Sequence, residues 1–114
     1  MTYMKEYSNK EKLAIAKILL DLIYIDGKVD RREINYFEKV KEVLELSPEE
    51  QFMVTGLNTL HCLGTLKTMD SEQKHAFAEM MRNVILADEY IDPNEAQAFY
   101  DVCIFIDATG VGLS

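Results

Sequence analysis

The pattern Asp-x3-Asp-x2-Glu occurs twice, as Asp26, Asp30, Glu33 and as Asp88, Asp92, Glu95, and every position repeats at an offset of 62 residues. Flanking positions repeat at the same offset: Lys12 with Lys74, Ala14 with Ala76, Ala16 with Ala78, Ile23 with Ile85, Phe37 with Phe99 and Val40 with Val102. An aliphatic residue, Val29 or Ile91, precedes the second Asp of each copy. Chance rarely aligns so many residues without a gap. The chain therefore reads as an internal duplication that sets carboxylates at equivalent points of two similar halves.

Helix-start signals accompany the repeat. Ser8-x-x-Glu11 has the form of a capping box, in which a side-chain oxygen and a carboxylate each take up an otherwise unpaired amide. Its counterpart 62 residues on is Asp70-x-x-Gln73. Asp30-x-x-Glu33, Asp92-x-x-Glu95 and Ser47-x-x-Glu50 have the same form, the last two with Pro at the first helical position. Helices are expected over 9–25, 31–45, 48–67, 71–88 and 93–108, with Gly56 and Gly64 splitting or distorting the third. No stretch alternates with period two, so no sheet is expected.

The first of these helices is apolar around most of its circumference, from Leu13 to Ile25, with Lys10, Lys17 and Asp21 on a narrow stripe. Such a helix belongs at the centre of a bundle. The second turns Ile34, Phe37, Val40 and Leu44 inward, and the last repeats the spacing with Ala96, Phe99, Cys103 and Ile106. Each half is then a helical hairpin whose apolar face needs the other half. The expected fold is all-α: one domain over 1–114, a small bundle of two pseudo-symmetric hairpins, 8–46 and 70–108, joined by a helical segment at 47–69. Gly110 to Ser114 reads as a helix stop followed by a frayed end.

A formal charge of −8 argues against nucleic acid and against anionic membrane surfaces, both of which require clustered Lys and Arg. The polar N-terminus has no apolar export segment, and the run from Leu13 to Ile25 is too short to span a bilayer. Cys62 and Cys103 are isolated and read as reduced, buried thiols of a cytoplasmic protein. His61 and His75 lack zinc-site spacing, and no phosphate-cradling glycine loop or nucleophile elbow is present. Met53, Met69, Met80 and Met81 read as core filler. Tyr3 and Tyr7 either pack on the bundle or form a dimer contact.

Asp30 and Asp92 have a structural explanation as N-caps, and Glu33 and Glu95 as the residues that close the boxes. Asp26 and Asp88 do not. Each follows an apolar helix, where the dipole is negative and a carboxylate is disfavoured. A turn that offers loop amides, a salt bridge or a bound cation would each compensate. Residues 26–33 match the second half of an EF-hand loop, but its first and third positions fall on Leu22 and Tyr24, and in the second copy on Val84 and Leu86. These supply no carboxylate, so a standard EF-hand is excluded. A weaker site of carboxylates, carbonyls and waters is not.

A helix ending in Asp-Gly, then an aliphatic residue, Asp and Glu opening the next helix, repeated once, resembles the tellurite-resistance-B-like (TerB-like) domains. The likeness spans about Lys10 to Ala108. It implies an all-helical, pseudo-twofold domain whose turns gather a divalent cation, Ca2+, Mg2+ or Zn2+, through Asp26, Asp30, Glu33, Asp88, Asp92 and Glu95. It also implies stress-response or scaffolding roles. The group includes the N-terminal domain of a membrane-anchored DnaJ-type co-chaperone. No J-domain or anchor is read here, so that activity is not expected to carry over. Glu89 stands where the motif has Gly, a departure in the second turn.

The function expected from the sequence is therefore that of a non-enzymatic, cytoplasmic binding or regulatory module with unidentified protein partners, a second copy of the chain being one candidate. A metal-free interaction module is the alternative. A metal-dependent hydrolase using the same carboxylates is a weaker one, since no cluster of His or Lys accompanies the turns.

Overall fold

Each helix begins where a side chain takes over amides that the first turn leaves unpaired. The computed structural model describes residues 6–25, 27–87, 90–108 and 110–113. Within them lie six helices: α1 (Asn9–Ile23), α2 (Arg31–Val43), α3 (Pro48–Val54), α4 (Thr59–Lys67), α5 (Ser71–Ile85) and α6 (Pro93–Ile106). No strand occurs among the described residues, and none of these helices is long and apolar enough to cross a membrane. The first residues of α1 and α5, and those of α2 and α6, each stand 62 apart.

Three of the expected capping boxes form. Ser8 Oγ accepts from the Glu11 amide at 3.2 Å while Glu11 Oε1 accepts from the Ser8 amide at 2.8 Å. Ser47 with Glu50 and Asp70 with Gln73 do the same. The segment expected over 48–67 is two helices. α3 stops at Val54, Thr55 to Leu57 turn the chain, and Asn58 caps α4 by accepting from the His61 amide at 2.8 Å. Gly56 sits in this break, whereas Gly64 is accommodated inside α4. α1, α2 and α6 each end two residues earlier than expected and α5 three. α6 is stopped by Asp107 in the left-handed region (φ 63°), a conformation that Asp tolerates better than most residues.

α1 is the central element, touching each of the other five helices. Its Ile15, Leu19 and Ile23 share one core with Phe77, Met81 and Ile85 of α5 and with Phe99 and Ile106 of α6, all shielded from solvent. Full burial of such a side chain contributes about 1.5–3 kcal/mol, which is why the nearly all-apolar α1 lies inside. Its polar stripe is also tied down. Lys17, 9% exposed, pairs with Asp21 at 2.9 Å, and Asp21 Oδ2 accepts from Thr59 Oγ1 of α4 at 2.7 Å.

Met69, Met80 and Met81 are core residues as expected, but Met53 is half exposed. Cys62 and Cys103 are buried and unpaired. Tyr7 packs into the core, whereas Tyr3 lies outside the described residues. Residues 110–113 of the C-terminal segment are not frayed. Arg82 Nε donates to the Gly112 carbonyl at 2.9 Å, the Leu113 amide donates to Tyr100 Oη at 3.3 Å, and Leu113 joins the core. An apolar residue three positions beyond the glycine stop is what draws the segment back.

Candidate functional site

α2 and α6 both begin at one end of the bundle, and the turns that feed them enclose a single cleft of about 260 Å3. Among the described residues it is lined by Lys28, Val29, Asp30 and Glu33 from the first turn and by Tyr90, Asp92 and Glu95 from the second. Four of the six carboxylates singled out in the sequence thus meet at one place, two from each half. The other two, Asp26 and Asp88, lie outside the described residues, as does Glu89.

The first turn is shaped by Gly27, whose φ of 76° is a conformation that side-chain-bearing residues rarely adopt. Asp30 then caps α2, accepting from the Arg32 amide at 2.7 Å. The Arg32 guanidinium lies 3.4 Å from both carboxylate oxygens. These bonds to Arg32, side chain first and then backbone, hold the Asp30 carboxyl below the ordinary carboxylate range. Asp92 caps α6 with bonds from two amides, Asn94 at 2.8 Å and Glu95 at 3.2 Å. Both caps behave as the sequence suggests.

Glu33 and Glu95 do not. Neither forms the reciprocal pair of bonds that defines a capping box. Each is turned inward and only 3% exposed, among the few buried charged side chains of the described residues. The cause lies in helical periodicity. Glu33 precedes Phe37 by four residues and Val40 by seven, and Glu95 stands likewise before Phe99 and Val102, so both fall on or beside the buried stripe of their helix. The sequence held this signal, but the capping-box pattern explained the same residues and concealed it. Val29 and Tyr90, 52% and 64% exposed, add apolar walls to the cleft.

The donors are of one chemical kind. Four carboxyl groups face one ammonium, Lys28, and no His or Cys lies among the described lining residues. Oxygen donors of this type suit hard cations such as Ca2+ and Mg2+, whereas structural zinc sites draw on His and Cys. Asp92 keeps lone pairs beyond those used by the helix amides, whereas both oxygens of Asp30 also face the Arg32 guanidinium. Among the described residues no three His, Cys, Asp or Glu side chains come together as a ready-made metal site. The set fits a cation in donor chemistry, with Lys28 and the Arg32 guanidinium beside Asp30 as competing positive charges.

The other constellations carry less chemistry. His61 and His75 are both exposed. Burial pushes the Cys103 thiol up to about 11 and raises that of Cys62, so neither is an activated nucleophile.

No protein-family model matches the chain, and no curated protein matches it. Its fold is similar to that in a crystal structure of PG1108, a protein of unknown function from Porphyromonas gingivalis W83. The two superpose with a TM-score of 0.77 over 96% of this chain and 92% of the other, at 17% sequence identity. That likeness extends to the fold alone.

Proposed function

We propose that the chain is a non-enzymatic binding module of two-repeat, TerB-like architecture, whose acidic cleft takes a divalent cation in a stress-response or scaffolding role. One observation carries this reading: Asp30 and Glu33 of one half and Asp92 and Glu95 of the other line a single cleft. The common offset of the helix starts supports the two-repeat part. Among the cations implied by the resemblance, the oxygen-only donor set favours Ca2+ or Mg2+ over Zn2+. When bound, such a cation would be held by these carboxylates and would offset their mutual repulsion.

Thermal unfolding in EDTA and in rising Ca2+ or Mg2+ tests the proposal. A ligand that binds only the folded state stabilises it by about 2.7 kcal/mol at a hundred times its Kd. The midpoint is expected to rise in the unaltered protein and to stay flat in Asp30→Asn with Asp92→Asn, where Asn preserves both caps. A flat response of the unaltered protein to millimolar metal would refute the cation and leave a metal-free interaction module.

A further inference from the structure

The acidic cleft and a second depression both take lining residues from α6. Glu95, Ala98 and Val102 follow one another at three and four residues on α6 and so share a face of that helix. Glu95 lines the cleft, whereas Ala98 and Val102 line a second depression of about 160 Å3 between α1, α4 and α6. At about 1.5 Å per residue, the two sets lie roughly 4.5–10 Å apart along the helix. The first turn makes the same transition, with Ile25 on the second depression and Val29 on the cleft.

This second depression is an apolar groove. Leu22, Ile25, Leu63, Met81 and Val102 supply its walls, with Asp21 and Thr59 as its polar members. At about 160 Å3 it has room for one large apolar side chain. An apolar socket beside an acidic cleft, at a spacing of one to two helical turns, is the complement of a helix with an apolar residue and Lys or Arg three to seven positions apart.

The geometry points to a docking surface for a basic amphipathic helix of a protein partner, which seats an apolar side chain in the α1–α4–α6 groove and a Lys or Arg between Val29 and Tyr90. Charge selects this occupant. The chain carries −8 overall, and the four carboxyls of the cleft outnumber Lys28 and the Arg32 guanidinium that pairs with Asp30, which attracts a cationic segment and repels a second copy of the same chain. Tyr90 and Val29, both more than half exposed at the cleft, flank the seat of the cation and its aliphatic stem. The inference rests on the module being a binding one, but not on the metal.

The test is fluorescence anisotropy with a labelled synthetic helix of about 15 residues, leucines on one face and lysines three and four positions from them, titrated in EDTA. EDTA separates the outcome from that of the metal melts, so either reading can fail alone. The expected Kd is in the micromolar range, weakened about tenfold or more when the lysines become glutamates or the sequence is scrambled. Ala98→Arg, which fills the groove, and Asp30→Asn with Asp92→Asn, which lowers the charge, are each expected to weaken binding by a similar factor. Should Ala98→Arg not fold, Ile25→Lys at the exposed rim takes its place. Binding no tighter than that of the scrambled peptide, or binding that survives the groove substitution in a folded protein, overturns the proposal. So does dimerisation in sedimentation velocity that the same substitution abolishes.

Discussion

Glu33 and Glu95, 62 residues apart in sequence, line the same cleft from opposite sides of the duplication, and each is almost fully buried. Burying a carboxylate is costly unless hydrogen bonds or opposite charge compensate. Both glutamates have interaction partners in this structure. Truncation of so buried a side chain leaves a void, whereas the amide keeps the shape. Glu33→Ala and Glu95→Ala are expected to destabilise the fold by about 1–3 kcal/mol, with the Gln variants closer to the unaltered protein. Urea unfolding monitored by circular dichroism checks the order.

The caps on the cleft make a separate prediction. Asp92 accepts from two amides at the start of α6, so Asp92→Ala is expected to cost about 1 kcal/mol and Asp92→Asn much less. Ser47→Ala at the start of α3, far from the cleft in sequence, is expected to cost a similar amount. The two differ in consequence: only the first is expected to change the response to cations.

Helix starts were the legible part of this fold. Ser8, Asp30, Ser47, Asp70 and Asp92 all cap helices where the pattern placed them, because a cap is a local interaction written in adjacent residues. Helix ends were less so. Tyr24 and Leu86 close α1 and α5 without a glycine or proline to announce it. The inward turn of Glu33 and Glu95 depends on how α2 and α6 pack, and a box pattern and a buried stripe assign those residues to opposite surroundings. The return of Leu113 to the core was equally invisible, since it depends on Arg82 and Tyr100, 31 and 13 residues earlier.

That return is itself testable. Leu113 is 9% exposed and its segment is held by Arg82 and Tyr100. Leu113→Ala is expected to destabilise by about 2 kcal/mol, near the low end for a buried leucine. Hydrogen exchange of the Leu113 amide should then quicken ahead of the amides in α1.

The ionisation of Asp30 gives a pH-dependent check. Its folded-state pKa is depressed by Arg32, so its contribution to stability is present above the unfolded value of about 3.9 and is lost as pH falls through the lower folded value. Arg32→Gln should move the Asp30 titration, followed by carboxyl carbon NMR, upward toward the ordinary range. At the alkaline end the sign reverses for Cys103. Its thiol is raised to about 11 by burial, so its contribution is intact below about 9 and fades as pH rises through 11. Thiol reagents at neutral pH should therefore label Cys62 and Cys103 only slowly until the protein is unfolded.

In the function proposed above, carboxylates from both halves hold one ligand. Calorimetric titration of Ca2+ and Mg2+ into the unaltered protein and into Glu33→Gln with Glu95→Gln tests it most directly. One site per chain is expected, with a Kd of about 10−5 to 10−3 M for at least one of the two metals. The double variant, still folded, should bind that metal at least about tenfold more weakly. Two independent sites per chain, an affinity unchanged in the double variant, or no binding of either metal at millimolar concentration would contradict it.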